Sequence, residues 1–420
     1  MTFKDTSFGK IPDTWGMAKI SEITKVVTDY VANGSFASLA QNVTYKDEED
    51  VAVLIRLVDY NNDFKGDFVF IDEHAYEFLA KSKLYGGEII ISNVGANVGT
   101  VFRCPYLDYK MSLAPNAIMV RFIGNDSFYY HWLKGHYGQK MLKSIVTGSA
   151  QPKFNKTNFR DMLVPVPPID VQDRIAAILD SIEQKIEQNT AINENLEQQI
   201  EALLLNLIQS DSQKDSIKTV KLGDYLYIKG RIGWKGLKKD EYLDQSDYCI
   251  INGESLTKSG IDWKKAGYIS AERYEESPEI MLKIGDILLS KDGTIGKIGF
   301  IDKLDYPSTV ASGIFVIRNI KPEIISTQFI YYLLKSKLFT SFIASRTEGS
   351  VIPHLYQKDF MEFTFPLPIA EEMQRFDSLT APLFSTIITN LRENELLSAT
   401  RDSLLPKLMN GEIDVSKVKI

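Results

Sequence analysis

One stretch, VQDRIAAILDSIEQKIEQNTAINENLEQQIEALLLNLI at residues 171–208, contains neither Gly nor Pro and constrains what the rest of the chain can do. Apolar residues recur at Ile175, Ile178, Ile182, Ile186, Ile192, Leu196, Ile200, Leu203 and Leu207. Spacings of three and four predict one long helix with a narrow coiled-coil-type stripe. At 1.5 Å per residue the helix extends about 57 Å. A lone helix of that length leaves its stripe bare, so it needs a partner. Asn189 falls on the stripe with Asn193 beside it, and polar residues there usually fix register or partner at a cost in stability.

The partner lies in the same chain, 201 residues downstream, where residues 371–405 repeat the pattern. Ile175 becomes Phe376, Ile178 becomes Leu379, Ile182 becomes Leu383 and Ile186 becomes Ile387. Asn189 becomes Asn390, Asn193 becomes Asn394, Leu196 becomes Leu397 and Leu203 becomes Leu404. Any amphipathic helix repeats apolar positions; two asparagines recurring in register are harder to explain without a common design. The two helices are expected to pack antiparallel with the Asn pairs near their middle. Pro382 is expected to kink the second helix or to split off its first turns.

The segments around the helices repeat as well. GEIIISNVGANVG is answered by GDILLSKDGTIG, in a loop one residue shorter, with Ser92 and Gly95 matching Ser290 and Gly293. TGSAQPKFNKTNF is answered by TEGSVIPHLYQKDF, PVP by PLP, and AKISEI by VKLGDY. Strands are expected at residues 51–58, 88–92 and 117–122, a turn-rich loop at 59–66, a short helix at 73–83, one helix over 128–146 and a helical turn at 156–161. A period near 200 residues signals a duplicated domain-plus-helix unit. The fold class is therefore α+β: two pseudo-symmetric mixed α/β domains separated by a pair of long antiparallel coiled-coil helices in a circular layout. Residues 1–168 form the first domain, 169–209 the central spacer helix, 210–368 the second domain, and 369–420 the distal helix and C-terminal tail. The tail, with its GEI-type strand, is expected to return to the first domain. The halves diverge most before their Gly loops, at residues 29–69 and 228–268, which suggests one task performed on two different targets.

Composition narrows the classes. The net charge is −7, yet residues 171–209 carry −5 and residues 371–405 carry −3, so the remainder stands near +1 and the globular parts can hold basic faces. No apolar run approaches membrane-spanning length, nothing at the start resembles a signal peptide, and the reading is a cytoplasmic protein. Cys104 and Cys249 have no CxxC companion and imply neither a disulfide framework nor a zinc site. GTIGKIG lacks the spacing of a phosphate-binding loop, and the four histidines lack metal-ligand spacing, so no metal and no catalytic residue is assigned.

DNA recognition fits the repeated loops that mix Lys, Asn, Gln and Ser with Gly. Asn and Gln can read adenine, Arg and Lys can read guanine, and Ser or backbone N–H can hold phosphate. The candidate DNA-binding residues are Asn93, Asn97, Lys110, Ser149, Gln151, Lys153 and Asn155 in the first half. In the second they are Arg231, Trp234, Lys235, Lys291, Arg346, Ser350 and His354. For each of them a solvated loop residue is the plain alternative, and Trp234 can equally serve a core. Gly148 and Gly349 serve backbone geometry. The competing function is a non-catalytic coiled-coil adaptor or scaffold without DNA specificity.

Taken in order, these pieces resemble the DNA-specificity subunits of type I restriction–modification systems. The likeness is carried by IPDTW near the start, the two Gly loops, TGSAQP, VPVPPIDVQDRIAAIL, RIGWKGL and RDSLLPKLMNGEI. It covers nearly the whole chain and departs at PIAEEMQRF, where the family usually has Gln two residues before its Arg. The resemblance implies a non-catalytic subunit whose two target-recognition domains each read one half of a split, asymmetric site in double-stranded DNA. It implies that the helices set the spacer and dock two modification subunits, and that two restriction (motor–nuclease) subunits join them. No cofactor is expected in this chain: S-adenosylmethionine would belong to the modification subunit, and ATP and Mg to the motor–nuclease.

Overall fold

The structure is a computed structural model that describes residues 2–6, 9–212, 218–231, 236–257, 260–347 and 354–418. The chain divides into two compact units, Met1–Glu187 with Glu393–Ile420, and Gln188–Arg392. The first unit is thus assembled from both ends of the sequence.

Each unit is built on the same antiparallel four-stranded sheet. In the first the order is Thr24–Asp29, Ala117–Phe122, Ile89–Ser92, Val101–Arg103. In the second it is Leu226–Gly230, Ile314–Asn319, Ile287–Ser290, Ile298–Phe300. The registers agree as well: Ala117 faces Ser92 where Ile314 faces Ser290. Ile89–Ser92 and Ile287–Ser290 are apolar up to their closing serines and buried on both faces, as central strands packed on two sides must be. Beside this sheet each unit carries a mixed one with a parallel pair at its heart, Ala52–Ile55 with Lys110–Leu113 and Tyr248–Ile251 with Ser308–Val310. A short ladder closes each unit, Gly16–Lys19 with Leu163–Val166 and Thr219–Lys221 with Thr364–Pro366.

A buried ion pair is duplicated too. Arg121 reaches Glu88 at 2.7 Å in the first unit, and Arg318 reaches Asp286 at 2.6 Å in the second. The carboxylates are almost sealed from water, and each also accepts backbone N–H groups, from Tyr85 and Gly86 onto Glu88 and from Lys283 onto Asp286.

The first long helix spans Ile169–Ser212 and the second Ala370–Met409. Within the first unit Lys185 meets Glu393, Glu183 meets Arg401, and Asn394 donates to the Ile186 carbonyl. Within the second, Asn390 donates to the Asn193 side chain at 2.8 Å, and Asn193 donates to the Ile387 carbonyl. From Glu183–Arg401 to Lys185–Glu393 the partner number falls on the second helix as it rises on the first, so the pairing in the first unit is antiparallel. Asn189 and Asn193 are both buried, whereas Ile192 is 47% exposed. The seam therefore runs Ile182, Ile186, Asn189, Asn193, Leu196, Ile200 in strict four-three alternation, and Ile192 drops out of the expected stripe.

Several expectations need correction. Pro382 does not split its helix, because the loss of one donor is outweighed where Phe376, Leu383, Phe384 and Ile387 pack into the second core. The single helix expected over 128–146 is two, Asp126–Lys134 and His136–Ser144, broken at Gly135. Any side chain at Gly138 would collide with the Trp132 carbonyl at 2.2 Å, so the pair must fold back closely. The second unit repeats the break at Ser336, whose hydroxyl accepts from Phe339 and donates to the Leu333 carbonyl. Residues 59–66 begin inside a helix, Leu57–Asn61, before the turn. The tail returns to the first unit as expected, but as a single 3-10 turn at Val415–Lys417 and not as a strand. Leu408, Met409 and Val415 join Ile11 and Trp15 in one core, and Arg174 donates to the Val418 carbonyl at 3.1 Å.

Candidate nucleic-acid interface

In both units the Gly loop and the loop following the helix pair are clasped by the same backbone bonds. In the first, Asn93 N–H donates to the Asn116 carbonyl and the Asn93 carbonyl accepts from Phe154 N–H at 3.1 Å. Val94 bridges Lys153, and Gly95 N–H donates to the Pro152 carbonyl at 2.9 Å. In the second, Lys291 N–H donates to the Gly313 carbonyl, the Lys291 carbonyl accepts from Leu355 N–H at 2.9 Å, and Asp292 bridges His354. Gly148 enters the first clasp at φ +85°, where a Cβ would stand 2.9 Å from the Gln151 carbonyl oxygen. Only glycine suits that position.

The clasp gathers a subset of the predicted residues. Asn97, Ser149, Gln151 and Lys153 are exposed on the joined loops of the first unit, and their side chains have no hydrogen-bond partner among the described residues. Asn93 stands at the junction, half-buried, its amide donating to the Phe154 carbonyl at 3.1 Å. Asn155 is exposed but caps the helix Lys156–Arg160 by accepting from Asn158 N–H. Lys110 sits on the mixed sheet, paired with Glu73 at 2.9 Å, and does not join the clasp.

In the second unit Lys291 and His354 come together, but Asp292 binds both. It pairs with the Lys291 ammonium at 2.8 Å and with His354 Nδ1, so neither side chain stands free for phosphate. Arg346 is exposed at the end of Lys337–Thr347, stacked on Phe342. Arg231 is the clear correction. It is 3% exposed, its Nε donates to the Val310 carbonyl, and burial with Arg273 nearby pushes its guanidinium below the usual value. Its run of basic neighbours suggested a surface arginine, whereas it closes the second core edge at Thr309 and Val310. Trp234, Lys235 and Ser350 lie outside the described residues.

Sequence reasoning missed a cleft in the first unit, walled by Val31, Phe36, Tyr45, Asn93 and Asn116. Its signal was the divergence of residues 29–69, which marked a variable part without indicating which side chains face outward.

One titratable cluster invites a metal reading. Ligand atoms of His131, Asp180 and Glu183 lie within 4.8 Å of one another. The charge around them is already matched, with Arg103 on Asp180 at 2.8 Å and Lys134 and Arg401 on Glu183 at 3.4 and 3.8 Å. The cluster ties the first long helix to its domain. Burial alone would raise the Asp180 carboxyl; hydrogen bonds from His131, Ser127 and Arg103 override it and hold the group well below the usual carboxylate range. A depressed folded value means stability that is complete above the unfolded pKa near 4 and drains as pH falls below it. Asp180→Asn is expected to lower stability at pH 7 and to flatten its dependence between about pH 4 and pH 2, as urea unfolding at a series of pH values will read. An acid limb as steep in the variant as in the wild type would contradict this.

A twice-repeated mixed α/β domain, each copy presenting a clasped polar loop pair and each fused to one half of a paired long helix, defines a two-headed recognition scaffold. The sequence matches the type I restriction modification DNA specificity domain over residues 12–198 and again over 214–397, and the chain belongs to that family. It is 23% identical to the type I restriction enzyme MjaIX specificity subunit of Methanocaldococcus jannaschii, over 99% of this chain and 97% of that one. It is also 23% identical to the EcoBI specificity subunit of Escherichia coli, over 69% of this chain and 66% of the relative. The fold matches the S subunit of a type I restriction–modification system from M. genitalium with a TM-score of 0.56 at 16% identity, covering 97% of this chain and 99% of that one. Among the described residues no helix is long and apolar enough to cross a membrane.

Proposed function

We propose that this chain selects the DNA sequence for a type I restriction–modification complex, each unit reading one half of a bipartite asymmetric site in the cytoplasm. The observation that carries the reading is the duplicated clasp: backbone bonds recur from Asn93 to Lys291 and from Phe154 to Leu355, while the exposed side chains on it differ. A constant frame with changed polar groups suits two readers of different base sequences. The long helices serve as spacer and as docking surface for two modification subunits, which bring S-adenosylmethionine for adenine methylation. Two motor–nuclease subunits bring ATP and Mg. The acidic helices, at −5 and −3 over residues 171–209 and 371–405, stay off the phosphates.

The test is to co-express the chain with its modification subunit and map methylated adenines across the host genome by long-read sequencing. A split motif with a fixed gap is expected, and exchanging residues 1–168 for those of a relative should change one half of the motif only. If no adenine is methylated while the chain still forms a defined complex, the adaptor reading replaces this one.

A further inference from the structure

The two clasps share their backbone bonds but not their charge. Asn93 and Phe154 in the first match Lys291 and Leu355 in the second. Val94, bridged to Lys153, therefore stands where Asp292 stands, bridged to His354. In the first unit Lys153 is exposed, and its ammonium has no partner among the described residues. The valine beside it cannot supply one. In the second unit the same position holds a carboxylate. One Asp292 oxygen takes the Lys291 ammonium at 2.8 Å, and the other takes His354 Nδ1. The ammonium also lies 5.7 Å from the centre of the Phe315 ring. His354 is fixed as well, its ring edge-on to Tyr356 at 4.5 Å.

A lysine that grips phosphate does so by replacing a counterion of the DNA with its own unmatched charge. Lys153 meets that requirement. Lys291 does not, because its charge is already matched within the protein. Its side chain is 13% exposed and that of Asp292 38%, so an approaching phosphate meets the carboxylate side of the pair, which repels it. We infer that Asp292 is a positioning residue that withholds Lys291 from the DNA backbone. The two readers then hold DNA unequally: the first clasp grips phosphate through Lys153, while the second contributes no lysine to the grip and depends on its base contacts. The inference rests on the DNA-reading role proposed above and adds how the two units divide the hold on the duplex.

The experiment uses the chain assembled with its modification subunit. Affinity for a duplex bearing the mapped motif and for a scrambled duplex is measured between about 50 and 200 mM salt. The buffer is at about pH 8, where an ordinary imidazole is neutral. Each lysine–phosphate contact adds about 0.9 to the steepness of log affinity against log salt. Lys153→Met is expected to flatten the slope by about that amount on both duplexes, and Lys291→Met to leave it unchanged. Asp292→Asn should steepen it by about 0.9 and raise affinity about eightfold at about 0.1 M salt, again on both duplexes. Adding Lys291→Met to Asp292→Asn should restore the wild-type slope. That restoration separates a freed ammonium from a loosened clasp, which removal of Lys291 would not cure. The inference is overturned if Lys291→Met alone flattens the slope as Lys153→Met does, because Lys291 then grips phosphate with Asp292 in place. It is also overturned if Asp292→Asn keeps the wild-type slope, or if the double variant stays steep. If wild type does not prefer the motif to the scrambled duplex, the DNA-reading role fails and takes the inference with it.

Discussion

Four residues inserted after Glu187 and four more after Arg392 are expected to move methylation to sites whose spacer is one or two base pairs longer, with sites of the original spacing falling at least tenfold. These are the two places where the chain passes from one compact unit to the other. The insertions leave the packed pairs intact, since Lys185–Glu393 and Asn394 with Ile186 lie in the first unit and Asn193–Asn390 lies in the second. Each helix gains about 6 Å, just under two base pairs at about 3.4 Å each. Four residues also exceed a full helical turn by only about 40°, so the apolar seam still meets its partner. Losing register on one half-site forfeits several base contacts, each worth about 1–3 kcal/mol, which sets the tenfold floor. Methylation confined to the original spacer, in a complex that still assembles, would show that the helices do not measure the interval.

Arg318→Ala is expected to destabilise the second unit by about 3 kcal/mol. Asp286 is 2% exposed and depends on Arg318 Nε at 2.6 Å, the second Arg318 nitrogen at 2.9 Å and the Lys283 N–H. Arg318 also bonds the Met281 carbonyl and lies over the Tyr227 ring. Truncation therefore strands a carboxylate in the interior and frees a carbonyl. Replacing both partners with apolar residues of similar size, Asp286→Leu with Arg318→Met, should recover much of the loss, because no unpaired charge remains. Urea unfolding of the three proteins decides the matter. A single variant within about 0.5 kcal/mol of wild type would mean that the pair is better solvated than its burial implies.

The long helices were legible because a three-four apolar period has one structural solution, and the duplicated asparagines identified the partner. What the period could not resolve was which of Ile192 and Asn193 faces the seam. In water isoleucine is the better choice, but the partner's Asn390 and the Ile387 carbonyl make a polar neighbour acceptable. Gly135 and Ser336 broke helices that local propensity would have continued, because tertiary packing against Trp132 and Leu333 decided the geometry. Pro382 failed to break one for the same reason. The clasp loops were legible through their glycines and their repetition. Burial was not: Arg231 and Lys110 look alike in sequence, yet one is sealed under Val310 and the other stands in water against Glu73. The Phe36 cleft was hidden because its chemistry lies in an apolar residue left outside, and sequence alone offers no reason to place a phenylalanine there.

The first unit draws its core from both ends of the chain: Ile11 and Trp15 need Leu408, Met409 and Val415, and Gly411 lies against Pro12. During synthesis the opening 187 residues therefore emerge without the segment that completes them, while Gln188–Arg392 is whole before the last stretch leaves the ribosome. The half of the sequence translated first is the half that finishes folding last. A stop codon anywhere in the final helix would disable the first reader, although every residue of its sheets had been made.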